Sequence, residues 1–347
     1  MSNLRVNKLK TQLKKANIDA MLVSSPANVR YLSGFTSAES WLLISPSQNI
    51  FISDFRYKLQ AEQEIDKSFQ IEMVANSVYA LVGQLVNKLK ISSLCFEPDH
   101  MTYNQYSRIK AALPPDTRLV AAKGFVEQLR MLKSPQEIIL IRKAVKIVKK
   151  SLNQLKPLIK PGVSELFLKN KLEQMLKDNG STQPAFDTIV ASGPNAAMPH
   201  AVTTTRKIAK NEPIIIDVGA TVNGYKSDLT RTFFSGKISQ YIEYYKLVAT
   251  AQDRAIKLIR PLVKIQSIDQ AARQVLKNAN LDKYFGHSLG HGVGLEIHEG
   301  PNISDKNTMR LKSSMVFTIE PGIYIPGSGG IRIEDMVLVT NKGCEIL

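Results

Sequence analysis

The chain has 347 residues, 46 Lys and Arg against 30 Asp and Glu, a formal net charge of +16 and 44% hydrophobic residues. This composition excludes a disordered, collagenous or simple coiled-coil chain, and the length exceeds what one core usually serves, which predicts two domains. No apolar run approaches the roughly 18 residues needed to span a bilayer, and Cys95 and Cys344 are too few for a disulfide framework.

The N-terminal stretch is basic, but Leu4, Leu9 and Leu13 space it as an amphipathic helix over 4–16 and not as a secretory leader. The expected compartment is therefore the cytoplasm, and no membrane partner is expected. Strands are predicted at Ala20–Ser24, Trp41–Ile44, Asn49–Ser53 and Ser93–Glu97, with a Pro-containing loop after the first and a helix over Val78–Lys90. This alternation predicts a smaller mixed α/β domain over residues 1–124. Past Lys123-Gly124, the run Ser134-Pro135-Gln136-Glu137 opens a helix with a cap, a first-turn proline and a glutamate placed to complete a capping box. That helix runs to about Leu155. Its apolar residues Ile138, Ile141, Val145, Val148, Leu152 and Leu155 leave Lys143, Lys146, Lys149 and Lys150 mostly on the opposite, solvated face. The remaining basic excess is spread along the chain, 15 basic against 10 acidic residues up to position 124 and 31 against 20 beyond it. No basic patch interleaved with aromatics occurs, so no nucleic-acid partner is expected. A second helix, Ser164–Asp178, closes at Asn179-Gly180. Strands Ile214–Val222 and Tyr225–Phe234 flank the hairpin signal Asn223-Gly224. Helices over Ser239–Arg260 and Ser267–Asn278 and strand-like segments over Met315–Leu338 complete the chain. Helix pair, strands, helix pair, strands predicts a pseudo-symmetric α+β domain over 125–347.

Chemistry concentrates in this second part. A two-residue turn at Asn223-Gly224 pairs Val222 with Tyr225 and sets Asp228 opposite Gly219, so Asp217 and Asp228 become diagonal neighbours on one face. Two carboxylates aimed at one spot beside the apolar run Ile214–Ile216 repel each other unless cations lie between them. Three of the five histidines, His287, His291 and His298, lie close together in a glycine-rich run that argues against a helix. Its glycines would let backbone and substrate approach closely. Glu320 and Glu334 flank a Pro/Gly-rich turn. A five-residue loop over 326–330 pairs Ile325 with Ile331 and puts both glutamates on one face, whereas a four-residue loop puts them on opposite faces. The collected set is Asp217, Asp228, His291, Glu320 and Glu334. Four carboxylates balance two divalent cations, and oxygen-rich ligation with one imidazole suits Mn²⁺ first, with Co²⁺, Zn²⁺ or Fe²⁺ as alternatives. Such a pair polarises a carbonyl and lowers the pKa of a shared water, chemistry that hydrolyses amides or phosphoesters. The absence of a G-x-x-x-x-G-K-[ST] loop favours amides.

Five stretches taken together resemble the pita-bread metallopeptidases, and within them the Xaa-Pro peptidases, aminopeptidase P and prolidase. They are Ile216–Ala220, Asn223–Phe233, His287–Glu299, Phe317–Tyr324 and Gly330–Asp335, to which Pro199-His200-Ala201 adds. The resemblance implies a pita-bread catalytic domain, with helices covering a curved antiparallel sheet, behind a smaller creatinase-like α/β domain whose weaker signature is Arg30–Phe35. It implies that Asp217 holds one metal, that His291 and Glu320 hold the other, and that Asp228 and Glu334 bridge the two. A hydroxide between the metals would attack the amide before proline, and Glu320 would relay the proton to the leaving nitrogen. His298 and His200 would donate hydrogen bonds to the scissile carbonyl or substrate, His287 would border the proline subsite, and Tyr324 and Arg332 would support the ligands or bind substrate. Expected substrates are Xaa-Pro dipeptides or peptides that begin Xaa-Pro, and the expected assembly is a homodimer. Lys226 departs from the small or uncharged residue usual at its position, and Pro261-Leu262-Val263-Lys264 lacks the glycine usual after that proline. The alternatives are a methionine aminopeptidase, disfavoured by the N-terminal domain, and a non-catalytic binding protein, disfavoured by the complete ligand set.

Overall fold

The computed structural model describes residues 2–347, and the chain divides into two compact units, Met1–Arg130 and Met131–Leu347. In the first unit, Ala20–Val23 is apolar and buried at every position, as a strand covered on both faces must be. It pairs antiparallel with Trp41–Ile44 and parallel with Ser93–Phe96, at the centre of a six-stranded mixed sheet. Asn49–Asp54 and Gln70–Val74 extend one side and Arg118–Ala121 the other. Helices Val78–Lys88 and Tyr103–Ala112 bury Val82, Leu85, Val86 and Ile109 against the strands. The expected loop after the first strand is instead a helix, Pro26–Ser33, with proline in its first turn. It ends where Gly34, at φ 89°, returns its N–H to the Arg30 carbonyl, a conformation that favours glycine.

In the second unit, helix Pro135–Leu155 opens on the expected capping box: Ser134 Oγ accepts from the Glu137 N–H, and Glu137 Oε2 accepts from the Ser134 N–H. Val148, Leu152 and Leu155 meet Leu168, Leu172 and Leu176 of helix Glu165–Asp178, and this pair packs on Ile214, Ile216 and Val218. Lys143, Lys146 and Lys150 point to solvent. The sheet beneath is antiparallel, in the order Leu229–Phe234, Pro213–Val218, Ile189–Ser192. Helices Ser239–Leu258 and Ile265–Asn278 repeat the arrangement over a second sheet, in the order Glu299–Ile303, Gly290–Gly292, Val316–Ile319, Asp335–Val339, Cys344–Ile346. This doubled layering of helix pairs over antiparallel strands is the pita-bread arrangement.

The hairpins fix the faces. Asn223 and Gly224 both have positive φ, 46° and 78°, as a two-residue turn of the primed type requires. Val222 pairs with Tyr225, and the same register continues to Leu229 opposite Val218 and Thr230 opposite Asp217. Asp228 therefore falls opposite Gly219, as the turn predicts. Each expected long strand is interrupted beside these residues, because the chains cross closely: a Cβ on Gly219 would lie 2.1 Å from the Ser227 carbonyl oxygen. The last hairpin settles a register that the sequence left open. Ile325 pairs with Gly329 and Gly322 with Arg332, leaving a three-residue loop, Pro326–Ser328. The shift from the five-residue loop is even, so Glu320 and Glu334 keep a common face. No helix among the described residues is long and apolar enough to cross a membrane.

Leu172 is 0% exposed, so Leu172→Ala is expected to cost about 2–5 kcal/mol in chemical denaturation. Lys146→Ala, on the solvated face of the neighbouring helix, is expected to stay within about 0.5 kcal/mol of the parent.

Candidate metal centre

Strand ends aim the expected residues at one place. Asp217 lies in Pro213–Val218, Asp228 just before Leu229–Phe234, and His291 at the centre of Gly290–Gly292. Glu320 follows Val316–Ile319, and Glu334 lies between Gly329–Arg332 and Asp335–Val339. All five line a cavity of about 490 Å³, as do His200, His287, His298, Tyr324 and Arg332. The glycines around His291 admit a neighbouring strand: a Cβ on Gly290 would sit 2.0 Å from the Thr318 carbonyl oxygen.

The tightest grouping is Asp228, His291 and Glu334, which each bring one ligand atom within 4.8 Å of the others. Glu320 joins it at His291, with 3.4 Å between Oε1 and Nε2, and Asp228 Oδ2 lies 3.6 Å from the same nitrogen. Asp217 stands differently, because its Oδ2 accepts from Arg332 Nη2 at 2.7 Å. Arg332 is the hub of the wall. Its Nε donates to Thr230 Oγ1, and its Nη1 donates to the Pro199 carbonyl and to the Tyr324 hydroxyl. Thr230 Oγ1 in turn donates to Glu334 Oε2 at 2.7 Å. Thr318 Oγ1 accepts from the His291 N–H and donates to Glu320 Oε1. Neither threonine was singled out from the sequence, although each lies two residues from an acidic ligand candidate and so on the same strand face. Phe186, Ile189, Ile297 and Asn302, also unanticipated, are among the other residues of the lining. No local pattern marks them.

Hydrogen-bond directions settle the histidine tautomers. His291 Nδ1 faces the Gly292 carbonyl at 3.1 Å and must donate to it. Nε2 therefore presents a lone pair toward two carboxylates. His287 Nδ1 donates to the Ser288 carbonyl, so its Nε2 accepts from the Tyr324 hydroxyl at 3.0 Å. Burial pushes both histidines down to about 4, with His298 reinforcing the effect at His291. Burial pushes Glu320 up to about 8, Asp217 adding to the shift against the pull of Arg332. Asp228 and Glu334 are held well above the carboxylate range by burial first and by the surrounding carboxylates second. Asp217 Oδ1 and Glu334 Oε1 are buried without a hydrogen-bond partner. Buried acceptors converge here without donors to match, and such a set fits cations bound by oxygen and imidazole.

Known proteins are similar to this chain over nearly its whole length. The profile described as metallopeptidase family M24 matches residues 139–341, and the creatinase/prolidase N-terminal domain profile matches residues 5–132. The Xaa-Pro dipeptidase of Pyrococcus furiosus is 34% identical over 99% of this chain and 97% of its own length. The solved Xaa-Pro dipeptidase from Bacillus anthracis superposes with a TM-score of 0.96 at 36% identity, over 100% of this chain and 97% of that one. The X-Pro aminopeptidase from Thermotoga maritima follows at 0.88 and 36%, covering 96% and 97% of the two chains. M24 membership implies divalent metal ions, and the acceptor-rich cavity is where the fold would hold them. The chain is a metallo-exopeptidase of the pita-bread fold and belongs to metallopeptidase family M24, with a creatinase/prolidase N-terminal domain ahead of its catalytic unit.

Proposed function

We propose that the chain hydrolyses the peptide bond before proline, in Xaa-Pro dipeptides or at the N-terminus of Xaa-Pro peptides. The observation that carries this reading is the convergence of four carboxylates and one imidazole lone pair on a single cavity, inside a chain similar over nearly its whole length to Xaa-Pro peptidases. Asp217, Asp228, His291, Glu320 and Glu334 would hold two divalent ions, Mn²⁺ by preference. Ions bound there would supply Lewis acidity to the scissile carbonyl and to an attacking water.

The remaining roles fall to side chains on the page. Glu320, one oxygen of which is fixed by Thr318, would take the proton from the water and deliver it to the leaving prolyl nitrogen. His298, its ring packed 4.3 Å from that of His291, donates to the oxygen on which charge develops, and His200 at the exposed rim donates to the bound substrate. His287 has both nitrogens engaged, so it enters as a wall of the proline subsite and not as a proton donor. Phe186, Ile189 and Ile297 extend that apolar wall and exclude water. Arg332 and Tyr324 orient Asp217 and His287. This reading places the protein in the cytoplasm, where its unpaired Cys95 and Cys344 would stay reduced, and takes it as a homodimer on the strength of the resemblance.

Chelation is expected to abolish Ala-Pro cleavage and Mn²⁺ or Co²⁺ to restore it, with Met-Ala uncleaved. Asp228→Asn and His291→Ala should each stay folded by circular dichroism while losing at least ~100-fold in kcat/KM, since ligand loss exceeds the effect of removing an outer partner. Full activity in either variant would remove that residue from the set.

The metal-free chain should also show an inverted pH profile. A carboxyl with a raised folded pKa binds protons more tightly when folded, so stability falls as pH rises from the unfolded value toward the folded one. For Glu320 that fall ends at about 8. The lowered histidines act oppositely, but only between about 4 and their ordinary 6.5. Between pH 6.5 and 8 the carboxylates act alone. The Tm of the chelated protein should drop across that interval, and saturating Mn²⁺ should remove the drop. A flat or rising Tm without metal would contradict the assigned repulsion.

A further inference from the structure

A carboxylate remote from the ligand set governs one rim of the cavity. Glu165, the first residue of helix Glu165–Asp178, is 0% exposed. Its Oε1 accepts from the Ser192 N–H and hydroxyl, both at 2.8 Å, and from Asn195 Nδ2 at 3.2 Å. Its Oε2 accepts from the Thr204 N–H at 3.1 Å, the Thr204 hydroxyl at 2.7 Å and Asn195 Nδ2 at 3.2 Å. Ser192 and Thr204 are the two ends of one excursion of the chain. Between them run the short helix Gly193–Ala197, the exposed Met198 and Val202, and the pair Pro199-His200 that lines the cavity. The Glu165 and Leu166 N–H groups donate to the Arg206 and Thr204 carbonyls, so the helix start also grips the outgoing limb of the excursion. Arg206 braces the neck from outside, donating to Ser192 Oγ and bidentately to Glu212. At the tip, the Pro199 carbonyl accepts from Arg332.

We propose that Glu165 is a positioning residue for substrate binding, closing the neck of the 192–204 excursion so that His200 is held at the cavity rim. The inference rests on the Xaa-Pro reading for what His200 contacts, and on hydrogen bonds alone for the clamp. One carboxylate can do this because both of its oxygens are acceptors, and each takes a backbone N–H from a different end of the excursion. Glutamine cannot substitute. Whichever way its amide is turned, one NH₂ faces the N–H of Ser192 or of Thr204.

The test is a double-mutant cycle between Glu165 and His200 in the metal-loaded enzyme, on a peptide beginning Ala-Pro. Glu165→Gln should raise KM about tenfold, the size of one lost hydrogen bond to a charged group, with kcat and metal stoichiometry held within about twofold. Amide exchange over 192–204 should accelerate in the same variant. His200→Ala should raise KM by itself, and the double variant should match it within about twofold, because residues acting through one contact are not additive. Additive effects, a KM unchanged in Glu165→Gln, or metal loss in step with KM would overturn the proposal. So would an unaltered KM in His200→Ala. Should Glu165→Gln not fold, Thr204→Val removes one hydroxyl from the clamp and must still raise KM. If the parent cleaves no Xaa-Pro peptide, the functional reading fails by that result, while unchanged exchange over 192–204 in the variant would separately refute the clamp.

Discussion

Everything in the catalytic unit is organised around a repulsion. Asp217, Asp228, Glu320 and Glu334 share one cavity with the lone-pair side of His291, and the surrounding strands withhold the water that would screen them. Burial alone would drive such groups to hold protons, which is what the raised affinities of Asp228, Glu320 and Glu334 express. Cations are the other way to satisfy them. A site that stores this much unfavourable electrostatics in the bare chain releases it on binding a divalent ion, and the protein's stability and metal affinity are thereby coupled.

The strands pay for this arrangement with backbone precision. Gly219 and Gly290 stand where a carbonyl from another segment comes within 2.1 Å of any Cβ. Asn223-Gly224 and Pro326–Ser328 set the registers that bring acidic residues to common faces. Arg332 then ties the two halves of the unit together at the cavity, touching Asp217 and Thr230 from the first sheet and Tyr324 from the last hairpin. One guanidinium thus fixes geometry across the doubled layers while supplying the wall's positive charge.

Much of this was legible in the sequence, and the reason differs from element to element. The Ser134 capping box and the Asn223-Gly224 turn are local codes, in which a few neighbouring residues determine the backbone, so helix and register followed directly. At Pro26–Ser33 no such code exists, because Ser25 makes no side-chain cap, and a helix of only eight residues gives too little apolar periodicity to stand out from a loop. The Pro326–Ser328 turn was ambiguous because a run rich in Pro and Gly accommodates several loop lengths, and only the opposing strands decide among them. Thr230 and Thr318 could be found by alternation once Asp228 and Glu320 are known. Phe186 and Asn302 could not, since their place in the wall depends on how distant strands pack. The Glu165 clamp was invisible for the same reason: its partners Ser192 and Thr204 lie 27 and 39 positions away.

The bonds that join Arg332, Tyr324, His287 and Ser288 run in one sense only. The guanidinium donates to the phenol oxygen, the phenol donates to the imidazole, and the imidazole donates to a backbone carbonyl. Reversing the chain would require the guanidinium to give up a proton, which it does not do in proteins. Burial also holds the Tyr324 hydroxyl up at about 12. This flank of the cavity is therefore an insulator: it transmits orientation but carries no current of protons.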